Sequence, residues 1–146
     1  MNTEHRTIHA LLAQYGESHT NPMNELIHCV CVPLIVFSLL GIVWWVHPLV
    51  ALAVVAASMA YYWKLSRPFA AGMLVMALVM LGILAALPPI TVLPLSLMIF
   101  VLAWAGQFIG HLIEGKKPSF LDDLRFLLIG PLFVLGFLYR RFDLAY

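Results

Sequence analysis

Residues 27–46, Ile-His-Cys-Val-Cys-Val-Pro-Leu-Ile-Val-Phe-Ser-Leu-Leu-Gly-Ile-Val-Trp-Trp-Val, run for 20 positions without a charge. At ~1.5 Å of rise per residue, one helix of that length crosses the ~30 Å hydrocarbon layer of a bilayer. Three further stretches share its character: 48–63, 69–87 and 91–113. The second is short but closes on Tyr61, Tyr62, Trp63 and Lys64, aromatic rings and an amine that suit the headgroup region. Composition agrees with this reading. Of 146 residues 63% are hydrophobic and 10% charged, against ~45–50% and ~25% in soluble domains. So few polar groups cannot cover a surface that faces water. The expected fold is all-α: a polytopic helical membrane protein with about four transmembrane helices, forming a single integral-membrane domain over 1–146.

The flanks differ from the spans. In 1–19, Ile8, Leu11, Leu12 and Tyr15 fall at i, i+3, i+4 and i+7, the spacing of one apolar stripe. This predicts an N-terminal surface helix lying on the bundle or the membrane interface. Glu4, Arg6, Glu17 and Glu25 precede the first span, unlike the basic start and immediate apolar core of a signal peptide, so that span is expected to stay in the mature protein. Residues 126–139 are too few for a crossing and contain Gly130-Pro131, which predicts a re-entrant or interfacial segment. With the N-terminus cytoplasmic and four crossings, Arg6, Lys64, Arg67, Lys116, Lys117 and Arg125 all fall inside, and no Lys or Arg lies outside. The membrane would be the cytoplasmic one in a bacterium and the endoplasmic reticulum in a eukaryote. A net charge of +1 argues against a nucleic-acid partner. Cys29 and Cys31, two apart in an apolar run, make neither a disulfide framework nor a zinc clip.

Polar residues are the informative ones in such a chain. They form two clusters. In the first, Asn21 before Pro22 is a helix start, since the Asn oxygen can accept a backbone N–H and proline lacks one to satisfy. Asn21, Asn24 and His28 then share a helix face, and His19, just before the cap, can fold over it. In the second, Gln107, His111 and Glu114 share a face near the end of the fourth span, while Gly106 and Gly110 allow a neighbouring helix to approach closely. Four crossings bring His28 and His111 to the same end. Three converging histidines point to a transition metal, because neutral imidazole suits iron, zinc and copper. Any one of them alone would read as a helix-to-helix hydrogen bonder. His47-Pro48 reads as a structural turn at the opposite end, His5 and His9 as the flank of the surface helix, and the Met residues from Met73 to Met80 as packing.

These residues carry a family resemblance. The run Tyr15…His19-Thr-Asn21-Pro22-Met-Asn24-Glu-Leu-Ile-His28…Val-Pro33, followed by Trp104…Gln107-Phe-Ile-Gly110-His111…Glu114…Pro118…Asp122, resembles the membrane-bound 2-hydroxy fatty acid dioxygenase family over nearly the whole chain. The resemblance implies an Fe(II)-dependent enzyme that uses O2 to shorten long-chain 2-hydroxy fatty acids by one carbon, as in α-oxidation. It implies His19, His28 and His111 as the metal ligands. Gln107, Asn24 or Glu114 would hold the outer N–H of a ligand imidazole, the usual duty of residues behind a metal site. Tyr15 would hydrogen-bond the substrate or bound oxygen. The rival readings are a metal-free structural protein, which leaves both polar clusters unexplained, and a small-molecule transporter, which would want ionisable residues in mid-span. A di-iron desaturase needs more than the six histidines present.

Overall fold

Proline punctuates this chain. In the computed structural model, which describes residues 3–17, 19–115 and 127–143, four long helices each open with a proline at their first or second position. They are α2 (Pro22–Val46), α3 (Pro48–Leu65), α4 (Arg67–Ala86) and α5 (Pro89–Glu114). Two shorter helices flank them, α1 (Thr3–Gly16) and α6 (Gly130–Arg141), and the described residues contain no strand. Proline lacks a backbone N–H and has φ preset for a helix, so it serves best in a first turn, where that N–H would be unpaired anyway. The residues before these turns, Asn21, His47 and Ser66, are extended, as a boundary requires. Asn21 accepts the N–H of Met23 at 2.9 Å, and His47 Nδ1 accepts that of Leu49 at 3.2 Å. The His47 side chain is therefore a helix cap, as the turn reading expected. At the other end of α5, Gly115 takes φ 75°, where a side chain would be strained, and its N–H closes the helix on His111 and Leu112.

Helices α2 to α5 are long and apolar enough to cross a membrane. Many of their large side chains face outward, among them Leu49, Val75, Val101 and Ile90. Lipid tails are as apolar as these side chains, so the hydrophobic effect gives such helices little reason to associate, and close packing must do it. The α2–α5 pair is built for this. A Cβ on Gly106 would sit 2.7 Å from Cys31 Sγ, and one on Gly110 would sit 2.4 Å from Asn24 Oδ1. The expected role of these two glycines is met. Gly41 does the same further along α2, lying against Ser96 of α5.

Helices α1 and α6 cover one end of the bundle. Ile8 and Tyr15 of α1 are buried with Tyr62, Phe69, Leu132 and Phe133 in a common core, in line with a surface helix lying on the bundle. The segment expected to be re-entrant or interfacial is a helix of 12 residues, too short to cross. Gly130-Pro131 starts this helix rather than interrupting it. Tyr62 donates to the Leu128 carbonyl and Tyr139 to the Pro68 carbonyl, which ties α6 and its entry turn to the α3–α4 corner. Lys116, Lys117, Pro118, Asp122, Arg125 and Phe126 lie outside the described residues.

Candidate metal centre

The covered end of the bundle is also where the histidines meet. His19 sits between α1 and α2, His28 in the second turn of α2, and His111 in the last turn of α5. All three are buried, His28 completely. One ring nitrogen from each lies within 4.8 Å of the others. The ring centroids of His19 and His28 are 4.2 Å apart, those of His28 and His111 5.0 Å, and those of His19 and His111 5.6 Å. Near-perpendicular rings, 75° and 80° for the two pairs that include His28, turn edges rather than faces toward the shared space.

Protonation follows from the hydrogen bonds. His19 Nδ1 lies 2.8 Å from the Tyr15 carbonyl and His28 Nδ1 lies 2.9 Å from the Asn24 carbonyl. A carbonyl can only accept, so each Nδ1 carries the proton and the neutral ring keeps its lone pair on Nε2. The Nε2 atoms of all three histidines are buried. Three buried imidazoles, two of them with the outer N–H fixed by a carbonyl oxygen, fit a transition-metal ion. Ring nitrogens within 4.8 Å of one another are close enough to belong to one such site.

At His19 and His28 the acceptors of those N–H groups are main-chain carbonyls four residues earlier, rather than the side chains of Gln107, Asn24 or Glu114. For His28, on α2, the i−4 carbonyl lies beneath the same helix face as the side chain; His19, past the end of α1, reaches back to the carbonyl of Tyr15 in that helix. Glu114 does something else. Its Oε1 accepts from the Thr20 backbone N–H at 3.0 Å and from the Thr20 hydroxyl, and its Oε2 accepts from the Asn21 N–H at 2.9 Å and Asn24 Nδ2 at 3.0 Å. Every partner donates, which suits an acceptor-only ionised carboxylate. It sits at the N-terminus of α2, where the helix dipole also favours negative charge. Glu114 thus staples the end of α5 to the start of α2, and it fixes Thr20 beside His19 and Asn24 beneath His28.

Asn24 is completely buried and shares its helix face with His28, as predicted. Tyr15 stacks on His19, with ring centroids 4.3 Å apart and planes within 11°. Gln107, also buried, lines a small pocket with Tyr15, Val32, Ile35, Trp104 and Gly130. Phe133 of α6 closes the cluster at 5.8 Å from His19 and 5.0 Å from Tyr15. Sequence reasoning missed Phe133, because it arrives on a helix that no periodicity ties to the histidines. Thr20 was also missed, though it stands next to His19 in the first polar cluster.

A family model described as 2-hydroxy-palmitic acid dioxygenase Mpo1-like matches residues 5–142. No curated protein and no solved structure matches the chain.

Proposed function

The chain belongs to the Mpo1-like family of 2-hydroxy-palmitic acid dioxygenases, and we propose that it is a membrane-embedded Fe(II)-dependent dioxygenase that shortens long-chain 2-hydroxy fatty acids by one carbon. The observation that carries this reading is the buried three-histidine cluster, which offers one ring nitrogen from each of His19, His28 and His111 within 4.8 Å. Three imidazoles at one ion leave positions open, the arrangement that non-haem oxygenases use. Bound there, Fe(II) supplies Lewis acidity toward the hydroxy acid and electron transfer to O2.

The reaction balances without a further reductant. A 2-hydroxy acid and O2 give the acid one carbon shorter, carbon dioxide and water. Oxidation of the hydroxy acid releases four electrons, the number that O2 accepts, so neither 2-oxoglutarate nor haem is needed. The protein's own part is positional. The Tyr15 and Asn24 carbonyls hold His19 and His28 in the tautomer that presents Nε2. Glu114 keeps α2 and α5 in register, so that His28 and His111 stay opposed. Gln107 and the Tyr15 hydroxyl orient the carboxylate and hydroxyl of the substrate from the pocket they share. Tight packing of Phe133 and Trp104 keeps bulk water away from the reacting carbons. The N-terminus and the histidine end face the cytoplasm by the charge rule.

The test is metal content and product identity on one preparation. Purified protein should hold close to one iron per chain and convert 2-hydroxyhexadecanoic acid to pentadecanoic acid, detected by mass spectrometry. A preparation that takes up no metal would favour the structural or transport reading instead.

A further inference from the structure

A second cavity, about 160 Å³, lies between α2, α3 and α4. Leu40 and Val43, Val54 and Met59, and Met76 and Met80 line it from those three helices in turn. Among the described residues that line it, the side-chain hydroxyls are spoken for: Ser58 donates to the Val54 carbonyl and Tyr62 to the Leu128 carbonyl. Such walls offer a ligand dispersion contacts and no polar recognition.

Its position gives it a meaning. Leu127 lines this cavity and also the small pocket of Tyr15 and Gln107 beside the histidines. On the same turn, Gly130 faces the small pocket and Pro131 the large one. The turn into α6 is therefore a partition between a polar compartment and an apolar one. We infer that the apolar cavity holds the acyl tail of the substrate whose head lies at the histidines, with Leu127 as the sill over which the chain passes; the inference rests on the function proposed above.

Length supports that occupant. From His28 to Val43 the axis of α2 advances about 22 Å at ~1.5 Å per residue. An extended acyl chain advances roughly 1.25 Å per methylene, given ~1.5 Å bonds at the tetrahedral angle, so this span matches about 16 to 18 carbons. Leu40, Val43 and Met80, which line the cavity, also pack into the core that holds Leu84 and Val92. Val54 is 47% exposed, so the cavity opens sideways toward the lipid-facing surface, where a membrane-dissolved acid can enter. A chain that exchanges lipid for an equally apolar groove gains little from transfer itself. Shape and depth then decide which length is bound.

The experiment uses the full chain in detergent and a 2-hydroxyhexadecanoic acid with a photoreactive diazirine at its last carbon. Crosslinks on the segments bearing Val43, Val54 and Met80, lost on adding unlabelled 2-hydroxy acid, are expected. Labelling only of outward residues such as Leu49, Val75 and Val101 overturns the assignment, as does displacement by phospholipid alone. Ala77→Phe places a ring in the cavity and should shift the labelling and turnover preference from a 16-carbon toward a 10-carbon acid by about tenfold or more. If this variant does not fold, the crosslinking decides alone. Deep labelling in a protein that turns over no hydroxy acid would keep the cavity assignment and sink the proposed reaction.

Discussion

Gly110→Ala is the smallest change that should reach the metal site from outside it. The added Cβ would stand 2.4 Å from Asn24 Oδ1 and 3.4 Å from His28 Cε1. Relief requires about 1 Å of movement to reach ordinary van der Waals contact. Asn24 cannot easily give way, since it is completely buried and its Nδ2 is held by Glu114 at 3.0 Å. The strain therefore falls on the α2–α5 interface. Overpacking of this kind costs ~1–3 kcal/mol, partly offset by ~0.5–1 kcal/mol from removing a helix glycine. The larger effect is on the ligands, because the Asn24 carbonyl orients His28 and the movement separates His28 from His111. Loss of such support typically lowers metal affinity ~10–100-fold. Chelator competition against Fe(II) measures this directly. Gly82→Ala is the control: nothing lies within 4 Å of its added Cβ, so iron affinity should stay at the wild-type level. A Gly110→Ala protein with wild-type iron affinity and turnover would refute the argument that close α2–α5 packing sets the site.

Other substitutions separate the roles. His111→Ala should lose bound iron and all turnover while keeping its helical circular dichroism and membrane insertion; iron at full occupancy in this variant would remove His111 from the ligand set. Glu114→Ala should weaken iron binding about tenfold without abolishing it, since the carboxylate acts through Thr20, Asn21 and Asn24 rather than on the ion. Complete loss of iron there would make Glu114 a ligand. Tyr15→Phe keeps the ring stack on His19 and the main-chain acceptor for Nδ1. Iron content should be unchanged, and kcat should fall ~10–100-fold, the worth of one hydrogen bond to a charged partner. Unaltered kcat would take the hydroxyl out of the mechanism.

Much of this architecture was legible in the sequence, for identifiable reasons. The boundaries at Asn21-Pro22 and His47-Pro48 follow from proline's missing N–H, a local property that needs no tertiary knowledge. The meeting of His28 and His111 followed from counting crossings, and the closeness of α2 and α5 from Gly106 and Gly110. What stayed hidden was set by partners distant in the chain. The acceptors for His19 and His28 are main-chain carbonyls, which carry no sequence identity. Glu114 shares a helix face with His111 in projection, yet its carboxylate is turned to the N-terminus of α2 by donors over 90 positions away. Helix α6 and Phe133 escaped because a short apolar run with an internal Gly-Pro reads as a break, whereas here the pair begins a helix. The apolar cavity between α2, α3 and α4 depends on the packing of three helices whose residues all look alike in sequence.

If His19, His28 and His111 hold a metal at which a 2-hydroxy fatty acid is oxidised by O2, the reaction must consume oxygen only when metal and hydroxyl are both present. Oxygen consumption by the detergent-purified, Fe(II)-loaded protein tests it most directly, comparing a long-chain 2-hydroxy acid with the same acid lacking the hydroxyl. Uptake of one O2 per hydroxy acid consumed is expected, with none on the plain acid and none after chelation or in His111→Ala. Equal uptake with both acids, or uptake that survives removal of the metal, would contradict it.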